Sequence, residues 1–139
     1  MIELENIVNL RDLGGYKTSS GKFTKHKIFF RSGNTDQSSE NDIKKLIEIY
    51  DVKTVIDLRN SEEISKSPDK FSQISRVNYI NTPIEYSDCL EEFKSTDRGL
   101  FVLYEYILKE KKQVLKDVFD SIANASTGSI LFHCTLGRD

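Results

Sequence analysis

Apolar positions along this chain fall into short runs that switch between two spacings. The stretch KTVIDLR, residues 53–59, is almost continuously apolar up to its charged end, as expected of a strand buried on both faces of a parallel sheet. KIFFRSG, residues 27–33, reads as a shorter strand closed by Ser32 and Gly33, and RVNYINTPI, residues 76–84, as another that ends at Pro83. SILFHC, residues 129–134, is the last strand. Between these runs the spacing becomes helical. Ile43, Leu46, Ile47 and Tyr50 recur at helical intervals behind a Ser/Asn start near Ser39. NSEEISKSPDK, residues 60–70, predicts a short capped turn stopped by Pro68. Two further helices are expected over Gly99 to Glu110 and Lys112 to Ala125, the second with Val114, Leu115, Val118, Phe119 and Ile122 on one face. Residues 9–24 are rich in Gly, Ser and Thr, with turn signals at Gly14-Gly15 and Ser20-Gly21, and read as irregular.

Strands alternating with helices predict an α/β layer, a mostly parallel central sheet flanked by helices. Ligands of such sheets bind beyond the carboxyl ends of the strands, where DLR (57–59) and HCTLGRD (133–139) fall. At 139 residues, without repeats or low-complexity linkers, the chain is one folded unit over 1–139. It has no apolar run near the ~20 residues that a membrane helix needs, and acidic residues interrupt MIELENIVNL, so a secretory signal is not expected and a cytoplasmic location is. A net charge of -2 gives no electrostatic support for nucleic-acid binding, so phosphate recognition must be local. Two cysteines and two histidines, without zinc spacing, leave little material for a metal site or a serine triad. No cofactor is expected.

The reactive atom of most interest is the sulfur of Cys134. In a loop after a buried strand, inward-facing amides would form an anion nest, an environment that lowers a thiol's pKa and favours the nucleophilic thiolate. Gly137 suits the tight turn that lets amides converge, Arg138 adds fixed positive charge, and Asp139 could give a proton to a leaving oxygen and later activate water. His133 would hold the loop's shape. The same residues also admit a core reading, because free cysteine is among the most buried residue types and ILFHC could be a strand ending in a small apolar residue.

HCTLGRD, from His133 to Asp139, resembles the first part of the HCxxGKDRTG loop of the protein tyrosine phosphatase superfamily, in particular its microbial tyrosine/serine and lipid phosphatase family. Three upstream segments match in order: NLRDLGGY from Asn9 to Tyr16, RSG from Arg31 to Gly33, and DLRNSEE from Asp57 to Glu63. The resemblance implies a metal-free, two-step phosphatase acting on a phosphorylated protein or phospholipid. Cys134 would be the nucleophile, Asp139 the general acid and base, and Thr135, Leu136, Gly137 and Arg138 the cradle for the phosphate ion. Arg138 stands where the family has lysine, and its planar fork is not equivalent to a compact ammonium. Asp57 and Arg59 point to one face of their strand, either as an ion pair at the sheet edge or in contact with substrate. Arg11 and Asp12, with Gly14-Gly15, either brace the cysteine loop from beneath or meet substrate. Cys89 has no motif around it and reads as a spectator, with a redox partnership to Cys134 as the alternative.

The superfamily loop is C-x5-R, which puts its arginine one position after Asp139. That arginine grips two phosphate oxygens, and loss of one preorganised donor of this kind costs roughly 2.7–4 kcal/mol of transition-state stabilisation. The residues are therefore expected to be an incomplete phosphatase domain, inactive alone, with the C-terminal helices missing. One face of SILFHC and KTVIDLR would then be uncovered, inviting association with the missing segment or self-association. Two other functions compete: a phosphate-binding pseudophosphatase module, and a rhodanese-like sulfurtransferase, which would leave NLRDLGGY and RSG unexplained.

Overall fold

The computed structural model describes residues 2, 4–87 and 98–138. Five strands form one sheet: β1 (Arg11–Asp12), β2 (Phe29–Ser32), β3 (Val52–Asp57), β4 (Asn78–Asn81) and β5 (Ser129–His133). Their spatial order is β1-β2-β5-β3-β4, with β2, β5, β3 and β4 all parallel and only the two-residue β1 antiparallel at its edge. The α/β layer with a mostly parallel sheet is the architecture expected from the alternating runs. Because β5 lies in the middle, whatever follows it emerges between the ends of β2 and β3.

The helices begin where local chemistry satisfies their first amides. In α1 (Glu40–Glu48) the Ser39 side chain accepts from Asp42 N while the Asp42 carboxylate accepts from Ser39 N, a reciprocal cap. The same carboxylate accepts from Glu5 N at 2.7 Å and Asn6 N at 3.0 Å, which fixes the N-terminal segment against α1. In α2 (Ser61–Lys66) Asn60 and Glu63 repeat the reciprocal cap. A 3-10 turn, Lys70–Gln73, leads into β4, and α3 (Gly99–Glu110) and α4 (Lys112–Ala123) precede β5.

Alternation along the strands sorts the core into two layers. Phe30, Val52, Val55 and Leu131 pack with Leu46 and Ile47 of α1 on one face. Ile56, Ile130 and Cys134 pack with Leu103 and Ile107 of α3 on the other, together with Val114, Leu115, Val118 and Ile122 of α4. The expectation of an uncovered face on β3 and β5 is thus overturned, because α3 and α4 cover it. Phe119 is a second correction. Grouped by helical spacing with the buried face of α4, it stands 67% exposed.

Phe30 anchors the first layer, fully buried with its ring edge-on to Tyr50 at 5.5 Å between centroids. Phe30→Ala is expected to lower unfolding free energy by about 3–5 kcal/mol, read from urea unfolding; a loss under about 1 kcal/mol would show a layer able to collapse around the gap.

Candidate active site

The polypeptide leaves β5 at its carboxyl end, and both neighbouring strands hold its first turn. Leu58 N donates to His133 O at 2.9 Å from the β3 side, and Asn34 N donates to Thr135 O at 3.0 Å from the β2 side. Asn9, at φ 57, donates from its side-chain amide to Leu136 O at 2.8 Å, and the exposed Tyr104 hydroxyl donates to Arg138 O at 2.8 Å. The Thr135 hydroxyl donates to the Glu63 carboxylate of the α2 cap. Gly137 sits at φ +71 with no room for a side chain, since a Cβ there would lie 2.6 Å from Gly33 N. Gly33 is constrained in turn, because its Cβ would lie 2.7 Å from Val8 Cγ2.

This turn folds backbone amides onto the sulfur. Gly137 N lies 3.1 Å and Arg138 N 3.4 Å from Cys134 Sγ, so positive ends of peptide dipoles face the atom where negative charge would reside. Cys134 is 5% exposed and closes the second core layer, so the core reading of this residue is also true of its side chain. Packing and polar contact coincide here: the apolar layer holds the sulfur, and the two amides meet it. Leu136 and Arg138 are exposed, with Leu136 at 55%.

Beneath the loop lies a buried polar plate. Asp57 receives Arg59 twice, through Nε to Oδ1 at 3.0 Å and Nη2 to Oδ2 at 2.7 Å, and receives the Tyr79 hydroxyl at 2.6 Å. Arg59 Nη1 donates to Asn34 Oδ1 and to Ser67 O, each at 2.8 Å. His133 Nε2 lies 2.8 Å from Asp69 Oδ2, and the Thr35 hydroxyl donates to the same carboxylate oxygen. Burial alone would raise the Asp69 carboxyl, but the His133 ring and charge, the Thr35 hydroxyl and the Phe71 amide together hold it below the ordinary carboxylate range. Burial would lower the Arg59 guanidinium, and the Asp57 bonds and charge outweigh it. Burial and the bond to Asp57 both push the Tyr79 phenol well above its usual value.

Asp57, Asp69 and His133 bring ligand atoms within 4.8 Å of one another, a spacing a metal ion could use. The Arg59 guanidinium is already between the carboxylates, 2.7 Å from Asp57 Oδ2 and 3.9 Å from Asp69 Oδ2, so a cation there would meet a fixed positive charge. The group is an ion-pair network that shapes the floor of the loop.

These positions change several sequence-based assignments. Asp57, Arg59 and His133 are at most 1% exposed, so they lie under the loop and offer substrate no surface; the ion pair lies in the interior and not at the sheet edge. Asp12 gives its carboxylate to Gly14 N, Lys27 N and the His26 ring, and therefore organises its own turn instead of the cysteine loop. Arg11 is exposed on edge strand β1. The bracing expected of these two comes from Asn9, Gly33 and Asn34. Asp139 and Cys89 lie outside the described residues. Sequence reasoning missed Asn34, Asp69, Tyr79 and Tyr104. Asn34 follows the RSG motif directly, whereas Asp69 sits in a polar stretch with no pattern to mark it.

With this geometry in place, comparison with known proteins is informative. The model of the tyrosine phosphatase family matches residues 2–139. A tyrosine-protein phosphatase of Nostoc commune is 34% identical over 91 residues, covering 63% of this chain and 31% of that protein. A protein of Cupriavidus necator that bears the tyrosine-protein phosphatase name provisionally is 25% identical over 146 residues, covering 99% of this chain and 52% of its own. The chain thus spans about half or less of the length of these relatives. Among solved structures, P. aeruginosa TpbA superposes with a TM-score of 0.42 at 15% identity, over 84% of this chain and 55% of that one. A cysteine-to-serine variant of TpbA in complex with phosphotyrosine gives a TM-score of 0.42 at 14% identity, over 91% and 61%.

The depressed Asp69 carboxyl fixes a sign for acid stability. The group stabilises the fold fully above its ordinary value of 3.8, and that contribution is lost as pH falls through the lower folded value. Urea midpoints measured from about pH 5 down to about pH 2 are expected to fall more steeply in the wild type than in Asp69→Asn; parallel slopes would show that Asp69 contributes nothing to acid sensitivity.

Proposed function

The chain belongs to the tyrosine phosphatase family, and from that premise we propose that it supplies the nucleophile-bearing part of a cysteine-dependent phosphomonoesterase acting on phosphotyrosine, with phosphoserine or a phosphoinositide as alternative substrates. The observation that supports the reading is the convergence of Gly137 N and Arg138 N on Cys134 Sγ at the carboxyl end of the central strand. In the proposed reaction the Cys134 thiolate attacks phosphorus. A sulfur–phosphorus bond forms as the ester oxygen–phosphorus bond breaks, and the departing oxygen takes a proton from Asp139. Water, giving its proton back to Asp139, then attacks the phosphocysteine; the sulfur–phosphorus bond breaks and inorganic phosphate and the thiolate are released.

Each described residue has a part that follows from where it stands. Thr135 to Arg138 offer their amides to the phosphate oxygens, and Arg138 adds exposed positive charge at the rim. The Asn9, Asn34 and Tyr104 contacts hold the loop carbonyls of Leu136, Thr135 and Arg138, and the first of them steadies the peptide plane whose amide, Gly137 N, meets the sulfur. The Asp57–Arg59–Asp69–His133 plate beneath fixes that arrangement without touching the substrate.

Two outcomes are expected. In a polypeptide that carries this segment within a complete C-x5-R loop, Cys134→Ser abolishes turnover of a phosphotyrosyl peptide while leaving the fold intact by circular dichroism, and rapid quench with radiolabelled substrate traps phosphate on the wild-type protein only. Persistent turnover by the serine variant, or a persulfide on Cys134 by mass spectrometry, would reject the phosphocysteine route. A polypeptide of residues 1–139 alone is expected to show negligible turnover of p-nitrophenyl phosphate, since the arginine of the C-x5-R pattern falls at a position beyond it. Robust, Cys134-dependent turnover by that polypeptide would contradict the need for it.

A further inference from the structure

The register of the sheet sorts charge to either side of Cys134. On the β1 side, Arg11 pairs directly with Arg31, and Arg31 pairs with Phe132 of β5. Paired residues share a face, and this is the face of Cys134: Phe29, Phe132 and Cys134 pack in one core layer, while Phe30 and Leu131 pack in the other. From strand spacings, the Arg31 and Cys134 Cα atoms are about 8 Å apart, within reach of an extended arginine side chain from the loop's mouth. Two like charges directly opposite each other destabilise a strand pair. Among the described residues neither arginine has an ion-pair partner, and the buried Arg31 Nε has no acceptor. A cationic pair kept at such a cost, with a buried donor unmet, has the properties of a receptor for an anionic group.

The β4 side carries the opposite sign. A cleft of about 460 Å³ lies beyond the ends of β3 and β4, lined by Asn60, Glu62, Glu63, Ile84, Glu85 and Tyr86 among others. It abuts the cysteine loop, because Glu63 accepts from Thr135. Glu62 is neutralised by Lys66 at 2.6 Å, but Glu85 is exposed and Glu63 faces the loop with no cation beside it among the described residues.

We propose that the mouth of the cysteine loop is a charge-polarised peptide cleft, in which Arg11 and Arg31 receive an anionic residue on one side of the phosphorylated residue and Glu63 and Glu85 receive a cationic residue on the other. The inference deepens the phosphatase reading and rests on it for the central phosphate. It selects a phosphopeptide with ordered flanking charge. A polyanionic head group is disfavoured, because it would set negative charge against the Glu63 and Glu85 carboxylates.

The test uses two phosphotyrosyl peptides of identical composition and reversed charge order, glutamates before and lysines after the phosphorylated residue in one and the converse in the other. Binding to the full-length Cys134→Ser protein is measured by fluorescence anisotropy, so the result stands apart from turnover. One order is expected to bind about threefold to tenfold more tightly, with the gap shrinking at high salt. Arg11→Glu and, separately, Glu85→Lys should each collapse or reverse the preference. Equal affinity for both orders, a preference untouched by both variants, or a soluble inositol bisphosphate displacing both peptides at lower concentration would overturn the proposal. If the wild type turns over neither peptide while the variant still binds one order preferentially, the phosphotyrosine-phosphatase reading fails and the cleft stands.

Discussion

A buried guanidinium held by two carboxylates is the constraint around which the carboxyl end of this sheet is arranged. Arg59 is 1% exposed, and a charge so placed is tolerated only where each donor finds an acceptor. Its acceptors come from separate parts of the chain: Asp57 at the end of β3, Asn34 after β2, and the Ser67 carbonyl after α2. Asp69 adds a second negative charge and draws in His133 of β5. Four otherwise independent connections are thereby fixed at one height, and the cysteine loop rests directly on them. Asn34 is the joint, since its side chain accepts from Arg59 while its backbone amide donates to Thr135 O. A change in the charged plate is thus transmitted to the loop through one residue's two ends.

The fold was legible because its signals are periodic and local. The near-continuous apolar run of β3 is of the kind carried by a strand covered on both sides, and the caps at Ser39 and Asn60 stand at the residues whose side chains close them. Periodicity reports which residues share a side, and not how far a neighbouring element extends. Hence Phe119, correctly spaced for the buried face of α4, falls beyond what it covers and is exposed. The idea of a bare sheet face failed for a related reason: α3 and α4 lie before β5 in the chain and suffice to cover it, a fact of topology that no spacing reveals.

At the site, the motif residues were visible but their division of labour was not. Asp57 and Arg59 are two apart on a strand, which places them on one side without saying whether that side meets solvent or another layer. Asp57 ends β3 and Arg59 follows just beyond it, and both side chains are buried in the ion-pair network with Asp69 and His133. Asp69 belongs to the same network yet comes from an unpatterned loop, because a tertiary ion pair leaves no trace in sequence spacing. Arg11 and Asp12 illustrate the converse. They are adjacent in sequence and therefore face opposite sides of β1, so one carboxylate closes a local turn while its neighbour's guanidinium lies on the face of Cys134.

The central position of β5 gives the remaining features their meaning. A cysteine at the end of an edge strand would have protein on one side only, whereas Cys134 has β2 and β1 on one flank and β3 and β4 on the other. The two flanks differ in sign because different constraints made them. Glu63 is acidic since it closes the cap of α2 and receives Thr135, so negative charge there is tied to holding both helix and loop. Among the described residues Arg11 and Arg31 meet no such local need: their pairing across β1 and β2 is unfavourable by itself, and the buried Arg31 Nε has no acceptor there. Among the described residues, local structural need accounts for the acidic flank and not for the basic one.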